Sequence, residues 1–250
     1  MTKKIDKYKV QAALVRSFFD AFSHGVIESQ MEDRNEKTTP QSVKKLMLEH
    51  YEHIAPAFFD TMFFPLAAMN YKYEDIAALA REAQQRGDDM MALVRTACGD
   101  EAYYNAMVEE YKRNFSMLLA GRYLSNADHL EGYVRKAKEE TEASVDSDRA
   151  IELTVRVVMF AYVRGLRQTG EGARFDRSAH LRQVHPLRGA TLFRLMLDAM
   201  NILLLDEAVD FADAEAADLA SLFLKVCQTQ HNFTVMTNEM DRTYSELMKE

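Results

Sequence analysis

Turn-forming residues are scarce in this chain: nine glycines and four prolines in 250 residues, where average usage would give roughly 30 of the two together. Few turns mean long elements. Ala and Leu outnumber Val and Ile, so a large sheet would lack its preferred residues and the long elements are helices. Typical helix lengths then predict an all-α, multi-helix bundle of roughly eight to eleven helices with no significant sheet. Hydrophobic residues are 48% and charged residues 28% of the chain, the balance of a globular protein with an ample core. The expected organisation is a single helical domain over residues 1–250, or two packed lobes, 1–143 and 144–250, meeting at the acidic run KEETEASVDSD.

Apolar periodicity places the first helix at about residues 5–29, with Val10, Ala13, Leu14, Phe18, Ala21 and Phe22 on the apolar face and Lys7, Arg16 and Asp20 among the polar positions. Residues 32–37 are charged or amide and read as a loop. Thr39 before Pro40 is a helix start. Pro56 and Pro65 punctuate the aromatic stretch that follows, and Asn70 reads as the opening of the next helix. Gly87 and Gly99 read as helix ends, Asp100 as a cap, and Asp146 or Ser147 as the restart into IELTVRVVMFAYVRGL, which is apolar on most faces and therefore central. In the helix after Pro186, Thr191, Arg194, Asp198 and Asn201 form a polar stripe within apolar surroundings. A break is expected near Asn232. No internal repeat is expected.

Several strings carry the residue types that chemistry needs. NILLLDE, residues 201–207, resembles the Walker B strand of ABC-type ATPases, in which Asp holds Mg²⁺ and Glu positions water. The chain has no GxxxxGK[ST] loop to cradle phosphates, and the polar stripe continues through Asn201 at helical period, so a buried helix without ATP hydrolysis is expected. Glu49, His50 and His53 in LEHYEHI are the weak metal-ligand candidates, since pairs three or four apart share a helical face. A solvated face is the simpler reading and no metal or other cofactor is expected. Cys227 and His231 lie four apart, yet nothing nearby would lower a thiol pKa, so a packed thiol beside a surface histidine is expected. Met196 with Met200 and Met236 with Met240 are one turn apart and read as core. Arg122-x₆-His129 and Arg174-x₅-His180 are similar to the Arg-x₄₋₆-His pattern of HEPN ribonucleases, an all-α family in which two copies of the pair meet across a dimer to form the cleavage site.

The charge pattern is the feature with most bearing on function. Over residues 164–194 the charged groups are Arg164, Arg167, Arg174, Arg177, Arg182, Arg188 and Arg194 against Glu171 and Asp176, on a chain whose net charge is −8. Guanidinium groups grip carboxylate or phosphate bidentately. The first six of these arginines are the candidate binding residues for an anionic partner; the competing reading is an internal ion-pair network. A net charge of −8 disfavours nucleic acid and favours a protein partner. The opening MTKKIDKYKV has no apolar run of leader type behind it, and no segment reads as a membrane span, so a cytoplasmic location is expected. With no complete catalytic motif, the reading is a non-enzymatic helical interaction, regulatory or adaptor protein. The alternatives are a HEPN-like ribonuclease and a helical domain that binds or senses a small ligand.

Overall fold

The computed structural model describes residues 3–34, 39–120, 143–167, 190–205 and 219–249. They form ten helices and one pair of three-residue strands, an all-α bundle. The elements are β1 (Lys4–Asp6), α1 (Lys7–Arg34), α2 (Pro40–Glu49), α3 (Tyr51–Asn70), α4 (Tyr73–Arg86), α5 (Met90–Ala97), α6 (Glu101–Leu119), β2 (Ser144–Asp146), α7 (Ser147–Leu166), α8 (Ala190–Leu204), α9 (Leu219–Cys227) and α10 (Gln230–Leu247).

Local chemistry explains most boundaries. The Thr39 hydroxyl accepts from the Ser42 amide, with Pro40 at the start of α2, where a missing N–H costs nothing. Asp89, Asp100 and Thr229 accept the corresponding first-turn amides of α5, α6 and α10, each such cap being worth about 1 kcal/mol. Gly87 and Gly99 end their helices with φ of 74° and 73°, a region that glycine enters without a Cβ penalty.

Four expectations are corrected. Residues 32–34 continue α1 rather than forming a loop. Pro56 and Pro65 do not punctuate; both lie inside α3. Each removes one intrahelical hydrogen bond, but α3 is held by burial of Phe58, Met62 and Leu66, and tertiary packing overrides the local preference. Asn70 ends α3 instead of opening a helix: its side-chain amide donates to the Leu66 carbonyl at 2.8 Å and the Ala97 carbonyl at 2.9 Å, and α4 begins after Lys72. The late break falls at Gln228 and Thr229, where Gln228 has φ of 63°. Segments around Ser125, Gly170, Pro186, Asp206 and Glu207 lie outside the described residues.

α1 and α7 are the axis of the core. Every residue of α1 from Val10 to Ser23 is buried, and so is most of α7. The two helices approach at Gly25 and Gly165. A Cβ on Gly25 would overlap the Tyr162 carbonyl oxygen and sit 2.9 Å from the Leu166 amide nitrogen and 3.1 Å from the Gly165 Cα. A Cβ on Gly165 would overlap the Phe22 carbonyl oxygen and sit 2.8 Å from the Val26 nitrogen. Backbone meets backbone at this crossing. Above it, β1 and β2 pair antiparallel with Ile5 opposite Val145. α3 and α6 pack on α1, α8 packs on both central helices, and α10 packs on α7. The aromatic centre joins Phe18 to Phe22 at 5.4 Å, Phe18 to Phe58 at 5.1 Å and Phe58 to Tyr111 at 4.7 Å. Met196, Met200, Met236 and Met240 are all fully buried, as their spacing predicted. Among the described residues no helix is long and apolar enough to cross a membrane.

Gly25→Ala and Gly165→Ala are expected to be strongly destabilising. Alanine would ordinarily gain up to about 1 kcal/mol over glycine inside a helix. Here the added methyl must push two rigid backbones apart, and the loss should reach about 3 kcal/mol or more. Urea denaturation of each variant checks the sign. Leu153→Asp, which places an unpaired charge at a fully buried position of α7, should likewise cost several kcal/mol, read from its thermal melt.

Candidate functional site

The polar stripe of α8 faces α1 across the core, and there it meets charged residues. Arg16 and Asp20 of α1 are 5% and 8% exposed, and Asn201 of α8 is 2% exposed. Asp198 is largely buried beside them. Burial pushes its carboxyl up to about 8; the neighbouring Asp20 carboxylate adds to the rise, while Arg16 and Arg194 act against it. Two carboxylates and two guanidiniums therefore share one enclosed space. At neutral pH Asp198 keeps its proton, because the loss of water around the carboxylate, added to by the Asp20 charge, outweighs what the arginines return. Such a group can donate or accept a proton near physiological pH, a property typical of functional sites. His24, one turn beyond Asp20, holds its ring nitrogen 2.9 Å from the Asp20 carbonyl oxygen and 3.5 Å from its carboxylate.

A contrasting arrangement lies where α3 packs on α7. Asp60 pairs with Arg164, and Arg156 reaches Glu239 at 3.2 Å and Glu246 at 2.8 Å while lying over the Phe64 and Phe160 rings. Burial disfavours the Arg156 charge, but the hydrogen bonds it donates to Glu246 and Glu239, with their charges, outweigh burial and raise its pKa. Here each carboxylate faces an opposite charge: Glu239 and Glu246 share the Arg156 guanidinium, and Arg242 adds a second cation to Glu239.

The candidate residues read from the sequence are dispersed. Arg164 faces Asp60, so its charge is engaged within the fold. Arg167 is exposed just after the end of α7. Arg174, Arg177, Arg182 and Arg188 lie outside the described residues, as do Arg122, His129, His180, Asp206 and Glu207. Glu49, His50 and His53 do not share one helix: α2 ends at Glu49, His50 sits in the break, and His53 belongs to α3. The two imidazole rings are 6.3 Å apart. Among the described residues, no group of three or more His, Cys, Asp or Glu is arranged to hold a metal ion. Cys227 is buried, and burial pushes its thiol up to about 12. His231 turns away to Asp148, 2.9 Å distant.

The reading of Arg16 and Asp20 as ordinary polar positions is corrected, since both are buried. Their signal lay in their neighbours: Val15, Ser17, Phe18, Phe19 and Ala21 leave no polar side to the helix at this level. Lys7 is similarly misplaced by pattern alone. It is half-buried, bonded to Asn70 and 4.0 Å from the centre of the Tyr103 ring, and burial lowers its pKa. No family model, no curated protein and no solved structure matches this chain.

Asp198 gives stability a sign with pH. Its folded pKa is above the ordinary carboxylate value of 3.8, so between about pH 4 and pH 8 the folded state binds a proton that the unfolded state has released. Its stabilising contribution is complete below pH 4 and is lost as pH rises toward 8, by at most about 1.4 kcal/mol per pH unit. Asp198→Asn should remove this slope. Urea midpoints at pH 5, 6.5 and 8 should fall with pH in the parent and flatten in the variant.

Proposed function

We propose that this chain is a non-enzymatic helical interaction or regulatory protein that docks an anionic protein partner through the arginine-rich segment between α7 and α8. The observation that carries the reading is the placement of Arg167, exposed at the point where α7 ends, at the head of a stretch that adds Arg174, Arg177, Arg182 and Arg188 against two acidic residues. The segment joins two core helices, and connections between rigid elements are where binding residues concentrate. Arg164 and Arg194 lie at its two ends next to Asp60 and Asp198 and serve the fold; the arginines between them are the binding group. Neither thiol offers a nucleophile, because burial pushes Cys98 and Cys227 up to about 12, out of the nucleophilic range. The net charge of −8 repels the dense phosphate charge of nucleic acid more than a short acidic protein segment.

Arg174→Glu combined with Arg177→Glu tests the reading. Binding of a fluorescent polyglutamate peptide at low salt should fall at least tenfold in the variant, and parent binding should weaken as salt rises. Thermal stability should change little, since exposed ion pairs are worth about 0–1 kcal/mol. A large loss of stability with peptide binding unchanged would mean that these arginines are an internal network. Tighter binding of a single-stranded RNA than of the peptide would instead move the assignment toward nucleic acid.

A further inference from the structure

We infer that this chain is an internal duplication: residues 3–120 and 143–249 are two copies of one unit, and the α1 face of each copy is a self-association surface occupied by the other. The chain is the single-polypeptide counterpart of a symmetric homodimer.

The strands and central helices carry the first part of the argument. Adding 140 to a residue of β1 or α1 gives its counterpart in β2 or α7. Ile5 becomes Val145, and these two face each other in the antiparallel pair. The Lys7 amide donates to the Ala143 carbonyl, and the Ser147 amide donates to the Lys3 carbonyl; each bond is the other shifted by 140. Gly25 becomes Gly165. The atoms that crowd Gly25 are the Tyr162 oxygen, Leu166 nitrogen and Gly165 Cα, and those that crowd Gly165 are the Phe22 oxygen, Val26 nitrogen and Gly25 Cα. Each set is again the other shifted by 140. Reciprocity of this kind, in which i touches j′ and j touches i′, is the mark of a two-fold axis. The axis passes between Ile5 and Val145 and between Gly25 and Gly165.

The outer helices obey the same relation. α3 packs on α7 as α8 packs on α1, and α6 packs on α1 as α10 packs on α7. Phe58-Phe59-Asp60-Thr61-Met62 matches Met196-Leu197-Asp198-Ala199-Met200 at an offset of 138, with Phe58, Met62, Met196 and Met200 all fully buried. At an offset of 129 the hinge Cys98-Gly99-Asp100 matches Cys227-Gln228-Thr229. Each hinge has a buried thiol, then a residue at positive φ, then a side chain that caps the next helix. Beyond it, Glu110 pairs with Arg113 as Glu239 pairs with Arg242. Over residues 92–119 and 221–248, seven of 28 positions are identical, against about two expected by chance at ordinary composition. The offset falls by 9 (138 − 129) between α8 and α9, so the stretch joining the matched segments is nine residues shorter in the second copy. A gap at that one point, and drift elsewhere, hides the repeat from a fixed-period reading.

Equivalence of the copies makes a geometric demand. The gap from Lys249 to Lys3 must match the gap from Ala120 to Ala143, which residues 121–142 span. A circular permutant in the order 143–249, 121–142, 3–120 uses the same linker for the opposite gap. It should be a monomer with the helicity of the parent and melt cooperatively within roughly 10 °C of it, the shift that a change of connectivity alone produces. A second permutant with the linker doubled should melt no higher than the first. The inference is overturned if the matched-length permutant has no cooperative transition, or if only the doubled linker restores one, because the two gaps would then be unequal.

Discussion

The contact on which the bundle depends is the one made by the two residues with least to offer it. At Gly25 and Gly165 the backbones of α1 and α7 touch without intervening side chains, and this closeness sets the geometry of everything around them. Helices that approach so near expose all their other faces to third elements. α1 is accordingly covered by α3, α6 and α8, and is buried on every side over residues 10–23. Leu14, Phe18 and Phe22 of α1 and Val155, Val158 and Tyr162 of α7 are all buried around this contact. The Tyr162 hydroxyl donates to the Glu28 carboxylate at 2.5 Å and fastens the far side of the crossing. A methyl group at either glycine would be transmitted through close-packed side chains to all the surrounding helices.

Around this symmetric centre the chemistry is unequal. Asp60 and Asp198 occupy matching places, and their surroundings have diverged. Asp60 faces Arg164 in an ordinary ion pair. Asp198 faces Asp20, a second acid, where the matching residue on α7 is Phe160. At one place a residue of each half balances the other in a single pair, and at the matching place Arg16 and Asp20 of the first half meet Arg194 and Asp198 of the second. Buried networks of this kind contribute little net stability compared with apolar packing of equal volume.

How much of this was legible in the sequence depends on the range of the interaction. Gly and Pro scarcity foretold the helices, and short-range signals foretold the caps at Thr39 and Asp100 and the helix start at Asp146–Ser147, because those depend on residues within one turn. Pro56 and Pro65 misled because a local preference of a few kcal/mol yielded to burial of an aromatic face. Arg16 and Asp20 looked solvent-facing because a helical pattern shows polarity and not what covers it; α8, some 180 residues away, decides. The stripe on α8 itself was visible, but its partner was not. Gly25 and Gly165 gave no local sign at all, since a glycine within a helix reads as a mild defect until its neighbour is known. The arginine segment was conspicuous in the sequence for its charge alone, and only Arg164, Arg167 and Arg194 of its members fall among the described residues.

Cys98 and Cys227 carry a consequence of a different kind. Each sits at the same hinge of its half, fully covered, with its thiol held protonated to about pH 12 by burial. Only thiolate reacts with alkylating agents and oxidants, so neither sulfur is available until its hinge opens. The α5–α6 and α9–α10 corners therefore each carry a natural probe of local opening. Because the two cysteines lie in different proteolytic fragments, their labelling rates can be followed separately by mass in the unaltered protein. Two matched structural units, differing in their buried charges, thereby report their own opening side by side within one molecule.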